Sequence, residues 1–183
     1  YRSSLVSAET NIAQVLYQQG ETKTAGDHAY AALEQVQLLV NADSASAHSH
    51  SLEVYVRVTY GQILRDSGEF TNAESAFTSA LEKCLQLTEA IPDDANLWRL
   101  QSEMKNNLGI LYLTTNQGEL AQQAFASARE DFRKTLEISP DSVAAVNGHA
   151  WASSYLGDAL RSLDREDEAA AMYDESLAQR SPL

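Results

Sequence analysis

Cysteine is almost missing from this chain. The single Cys84 rules out an internal disulfide framework and any zinc site built from cysteines. Proline occurs three times and glycine eight times, too seldom for collagen-like or low-complexity segments. No apolar run approaches the ~20 residues that cross a bilayer. Positive charge is the scarcer sign: 13 Lys and Arg stand against 26 Asp and Glu, for a net charge of −13. That balance argues against nucleic acid as a partner, because phosphate-backbone binding draws its affinity from Lys and Arg displacing counterions. The densest basic group, Arg129, Arg133 and Lys134, is interleaved with Glu130 and Asp131. An anionic membrane surface is disfavoured on the same ground. Solubility accounts for the acidic excess, with a preference for basic partners as the functional alternative. Signatures of catalysis are missing too: there is no Gly-rich phosphate loop, His-Glu-x-x-His or nucleophile elbow. The chain is therefore expected not to be an enzyme and to need no metal or cofactor.

What is present suffices for a folded core. Hydrophobic residues make up 44% of the chain, too many for a disordered acidic tail. A length of 183 residues suits one domain or a short repeat array. The chain starts at Tyr1 rather than Met, which points to a fragment or a processed product. Tyr1–Ser7 has neither a basic n-region nor a long apolar stretch, so it does not read as a signal peptide. The compartment stays open.

A repeat of 48 residues organises the chain. It links Tyr60-Gly61, Leu108-Gly109 and Leu156-Gly157; Ala73, Ala121 and Ala169; Phe77, Phe125 and Tyr173; Ala80, Ala128 and Ser176; and Pro92-Asp93 with Pro140-Asp141. One further step back reaches Ala13, Ala25, Ala29 and Ala32, a weaker first copy. Within a unit, Val56, Tyr60, Ile63 and Leu64 recur at helical spacing, followed by Asp66-Ser67-Gly68-Glu69. Glycine after such a run is the usual left-handed helix terminator. Phe70, Ala73, Phe77, Ala80, Leu81, Cys84 and Leu85 then mark a second amphipathic helix. Pro92 ends it, and Asp93 or Asp94 can cap the next helix. The same reading places turns at Gly20, at Gln117-Gly118 and near Asp164-Arg165-Glu166. For the first helix it selects Leu5, Ile12, Val15 and Leu16 as the apolar face. Leu52–Val58 alternates like a strand by propensity, but the repeat register assigns it to a helix. Gly61, Gly109 and Gly157 fall inside helices, where glycine costs about 1 kcal/mol relative to alanine. That cost implies close approach of the partner helix, with the alanines lining the seam and the aromatics filling the space between pairs. A pair of this kind cannot bury both faces alone, so the pairs must stack.

The order of Leu-Gly, Tyr or Leu three later, a turn, then Ala, an aromatic and Ala resembles the tetratricopeptide repeat (TPR). Copy four matches best, through Leu156-Gly157, Leu160, Ala169, Tyr173 and Pro182. The resemblance implies an all-α, right-handed solenoid of four helix-turn-helix repeats, about 1–43, 44–92, 93–140 and 141–183, with about eight antiparallel helices. Two features depart from the family pattern. The unit is 48 residues against the usual 34, and the family's early Trp is replaced by Arg57, Lys105 and Ser153. Long units of this type resemble those appended to bacterial multidomain signalling proteins.

The resemblance also implies a concave groove, lined by the first helix of each pair, that holds a peptide or a partner helix. Carried over by register, the groove set is Tyr55, Val58, Gln62, Arg65 and Asp66; Glu103, Asn106, Ile110, Leu113 and Thr114; and Trp151, Ser154, Asp158, Arg161 and Ser162. Trp151 is an apt anchor, or else it packs beneath the neighbouring pair. A carboxylate clamp of the kind one subgroup uses is disfavoured. Only Asn107 falls on a matching position, and Thr10, Val58 and Asn106 stand where the clamp wants Lys or Arg. Arg65 and Arg161 are equivalent and can bind acidic groups or simply pair with neighbours. His48 and His50 read as a surface turn rather than the start of a metal site. His28 and His149 read as structural, and Cys84 as an inert core thiol. Asp164–Glu168 reads as an acidic cap on the last helix.

Two functions remain in view: an interaction scaffold for an unidentified protein or peptide, and an oligomerisation or structural module without a groove ligand. The second draws on the end of the array, Gln179 to Leu183, where no polar capping helix follows and an exposed last pair would suit a homodimer.

Overall fold

A computed structural model of the chain describes residues 1–43 and 46–180. Among them the regular structure is entirely helical: α1 (Arg2–Gln18), α2 (Thr22–Ala42), α3 (Ala47–Asp66), α4 (Phe70–Ala90), α5 (Ala95–Thr114), α6 (Gly118–Ile138), α7 (Val143–Arg161) and α8 (Glu166–Arg180). No described helix is long and apolar enough to cross a membrane. Leu52–Val58 lies within α3, so the repeat register prevails over local strand propensity. Pro182, matched to the family pattern above, and the rest of the chain's end lie outside the described residues, as do Ser44 and Ala45.

The chain divides into two compact units, Tyr1–Lys83 and Cys84–Leu183. In the first, α1 packs on α2, α2 on α3, and α1 on α3. In the second, the same order recurs: α5 on α6, α6 on α7, α7 on α8, and α5 on α7. The turns inside the helix pairs are built alike in all four copies. Each carries one residue with positive φ, at Gly20 (83°), Gly68 (81°), Asn116 (59°) and Asp164 (59°), and these positions are spaced by the 48-residue repeat. Just beyond it, the backbone N–H donates five residues back, from Glu21 to Leu16, Glu69 to Leu64, Gln117 to Tyr112 and Arg165 to Leu160, at 2.7–3.0 Å. This is the Schellman closure, which satisfies carbonyls left open at a helix C-terminus. In copy three the left-handed residue is therefore Asn116. Gly118, which the sequence reading placed in the turn, opens α6 instead.

Entry into the first helix of a pair repeats as well. Ser46 Oγ accepts from Ser49 N–H, Asp94 Oδ1 from Asn96 N–H at 2.8 Å, and Ser142 Oγ from Ala145 N–H at 3.3 Å. Side-chain oxygens there satisfy amides that have no intrahelical partner.

Packing refines one expectation and corrects another. The aromatic rings lie on the helical glycines of their own pair, and Phe125 also reaches the next pair, packing with Leu156 and Ala159 and stacking on Tyr155. A Cβ on Gly61 would meet the Phe77 ring at 2.7 Å, and on Gly109 or Gly157 the Phe125 or Tyr173 ring at 2.6 Å. Phe77 and Phe125 are fully buried in this way. On α1 the buried face is Val6, Thr10 and Ala13, whereas Leu5, Ile12 and Val15 face solvent. Counting large apolar residues misplaced that face, because a threonine and an alanine carry it. Thr10 satisfies its hydroxyl by donating to the Val6 carbonyl at 2.7 Å.

Candidate functional site

Helices α5 and α7 bring part of the expected groove set together. Between them lies a depression of about 290 Å³, lined by Glu103, Asn106 and Ile110 from α5 and by Gly148, Trp151 and Tyr155 from α7. Trp151 is 52% exposed. Its indole stacks on Tyr155 at 6.0 Å and 26°, and Tyr155 in turn stacks on Phe125 at 5.4 Å and 16°. The shelf is thus anchored to a fully buried ring. Asn106 Oδ1 is buried and accepts no hydrogen bond. Glu103 Oε1 pairs with Arg99 one turn earlier. Gly148 lets the Phe132 ring fill the space a side chain would occupy. Sequence reasoning passed over Tyr155 and Gly148; Tyr155 lies four residues after Trp151, and that spacing on a helix is the signal that finds it.

Other members of the set are engaged elsewhere. Leu113 and Ile110 pack against the core of Ala121, Phe125 and Leu156. Asp158 accepts from the Tyr173 hydroxyl at 2.8 Å, and Arg161, 62% exposed, stands 3.7 Å from it. On α3, Tyr55 is exposed and Gln62 half-buried. Arg65 Nε donates to Asp66 Oδ1 at 2.7 Å, and Asp66 also accepts from the Tyr17 hydroxyl. Burial opposes the Asp66 charge, but hydrogen bonds from Arg65 and Tyr17 and the Arg65 charge hold its carboxyl below the usual range. Burial, then Asp66, raises Tyr17.

The histidines and the cysteine complete the picture. His48 and His50 lie in the first turn of α3, not in a surface turn, because Ser46 starts the helix ahead of them. His50 is buried, with Nδ1 3.7 Å from Glu53, which also accepts from Arg57. His28 pairs with Glu9 at 2.7 Å, and His149 donates to Gln179 at 2.8 Å. Among the described residues no group of three metal-ligating side chains occurs. Burial, and then Glu103, pushes the Cys84 thiol up to about 12. Asp131 forms a buried pair with Lys105 at 2.5 Å and accepts from Gln101 at 2.8 Å. Burial outweighs Lys105 there and raises the Asp131 carboxyl. Lys105 stands at the family's Trp position, so an ion pair replaces an aromatic contact.

No family model matches the chain, and no curated protein matches it. Solved structures do. BtubC from P. vanneervenii aligns over 98% of this chain and 65% of its own, at 16% identity and a TM-score of 0.73. The apo form of RapI aligns over 97% of this chain and 43% of its own, at 17% identity and a TM-score of 0.73. The chain has the tetratricopeptide-repeat fold. At such identities the likeness shows the fold alone, and the chain spans 65% and 43% of these longer proteins. TTC0263, a TPR protein in Thermus thermophilus, aligns over 96% of this chain and 91% of its own at 14% identity, with a TM-score of 0.46. In TPR terms α1, α3, α5 and α7 are the first helices of the four pairs. The depression beside Trp151 therefore lies between first helices.

Proposed function

We propose that this chain is a protein-interaction scaffold, and that the first helices of its TPR pairs receive a peptide or a helix of a partner. One observation carries the reading: Trp151, half exposed on a stacked aromatic shelf, borders a depression shared with Asn106, Ile110 and Glu103. An exposed tryptophan anchored from below loses little freedom on binding and gains a large contact area, as interface anchors do. Tyr55 and Gln62 on α3 belong to the same proposal for the first unit. Arg65, Leu113, Asp158 and Arg161 contribute less, since ion pairs, a hydrogen bond or core contacts already engage them.

Selection from a random peptide library tests the reading. Selected peptides should bind the native chain and lose at least about tenfold in affinity to Trp151→Ala, equivalent to about 1.4 kcal/mol. Binders indifferent to both Trp151→Ala and Asn106→Ala would remove the site.

Self-association is a second reading, favoured by the apolar residues Leu5, Ile12 and Val15 that α1 turns to solvent. Light scattering over a concentration series checks it: mass should rise with concentration and stay constant in Ile12→Glu/Val15→Glu. A constant monomer mass in the native chain would rule it out.

A further inference from the structure

From the depression between α5 and α7 we infer the chemistry of the partner group it takes: the positively charged side chain of an arginine or lysine on a partner protein. The inference rests on the scaffold reading and makes it specific. Three features meet at one place. Glu103 lines the depression with its carboxylate and pairs through Oε1 with Arg99. The buried Asn106 Oδ1 accepts nothing. A turn of the amide about its last bond exchanges oxygen and nitrogen, so a donor entering the depression can meet that oxygen. The indole of Trp151, backed by Tyr155, offers an electron-rich face at the rim. A carboxylate oxygen, an amide oxygen and a π-face all attract positive charge, and none of the residues lining the depression is cationic. A carboxylate or phosphate would meet repulsion from Glu103. A purely apolar side chain would take water from the Glu103 carboxylate without supplying a donor, which is costly. The volume of about 290 Å³ suits a single side chain rather than a helix. The net charge of −13 favours the approach of basic segments at long range.

The test compares two blocked pentapeptides, Gly-Ala-Arg-Ala-Gly and the same peptide with citrulline, which keeps the shape and removes the charge. The readout is the indole N–H resonance of Trp151, one of two tryptophans, assigned by its disappearance in Trp151→Phe. The arginine peptide should shift it saturably, and the citrulline peptide should bind at least about tenfold more weakly. Glu103→Gln should weaken the arginine peptide while leaving the Trp98 resonance in place as a check on folding. Equal binding of both peptides, or no change with Glu103→Gln, would overturn the inference. So would no shift with either peptide, and if library peptides still depended on Trp151, the scaffold reading would survive that failure. Arginine binding at Trp151 beside library peptides that ignore it would instead keep the cation site and remove the scaffold reading.

Discussion

Gly109 and Phe125 compete for the same space, and so do Gly61 with Phe77 and Gly157 with Tyr173. The first copy resolves the competition differently: Ala13 stands at the glycine position and Ala29 at the aromatic one, both buried. Size is exchanged between the two positions, so each pair of residues behaves as one packing unit. Gly109→Ala should therefore cost about 1–3 kcal/mol despite alanine's better helix propensity, because Phe125 must leave its rotamer or push α6 outward. Phe125→Leu alone should also destabilise, by leaving a cavity. The double variant should lose at least about 1 kcal/mol less than the sum of the singles. Urea denaturation of the four proteins completes the cycle, and strict additivity would show that the two positions do not share space. The same exchange explains the lone cysteine. Cys84 occupies the position that Val36 and Phe132 hold in neighbouring copies, both of them core residues. Its sulfur serves as packing volume, and with the thiol pushed up to about 12 it carries almost no thiolate at neutral pH.

Helices here are ended more strictly than they are begun. All four intra-pair turns use the same left-handed residue and the same closing hydrogen bond, yet glycine fills the position only in the first two. Asn116 and Asp164 adopt a backbone conformation that L-residues reach at a cost, least for Asn and Asp. Asp164→Gly should stabilise the protein by about 0.5–1 kcal/mol, while Gly68→Ala should cost about 1–2 kcal/mol. A Cβ on Gly68 meets no atom within 4 Å, so any loss there comes from the backbone alone. Thermal melts of the two variants should move in opposite directions; parallel shifts would sink the explanation. The acidic first turn of α8, Glu166, Asp167 and Glu168, follows Asp164 closely. Replacing that charge with glycine leaves the favourable helix-dipole contacts intact, because those three residues supply them.

At the scale of the molecule, architecture was legible because it is written many times over. Glycine, aromatic, alanine and proline positions recur at a fixed period, and any one copy corrects noise in another; the strand-like Leu52–Val58 yielded to that redundancy. The outer face of α1 was not legible, since Thr10 and Ala13 bury as well as larger residues when a partner helix lies close. The depression was legible only in part. Register placed Glu103, Asn106 and Ile110 on one helix and Trp151 on another, and these residues line one depression, but the stacking of Tyr155 and the buried pair of Lys105 and Asp131 depend on side-chain geometry that no repeat encodes. Two carboxylates, the exposed Asp66 and the buried Asp131, contribute to acid stability with opposite signs. Asp66, held below the ordinary aspartate value near 3.9, adds stability that is complete above its unfolded pKa and is lost as pH falls through the folded one. Asp131 has the opposite sign. Its folded pKa is raised, so its charge costs stability at neutral pH, and acid relieves that cost as pH falls through the folded and then the unfolded value. Between about pH 6 and about pH 3, Asp66→Asn should therefore flatten the decline of unfolding free energy with acid, whereas Asp131→Asn should steepen it. The comparison uses slopes, which separates titration from the constant penalty of stranding Lys105 beside an uncharged partner. Urea midpoints measured at several pH values for the three proteins decide it, and equal slopes would mean that neither carboxylate is perturbed in the folded chain.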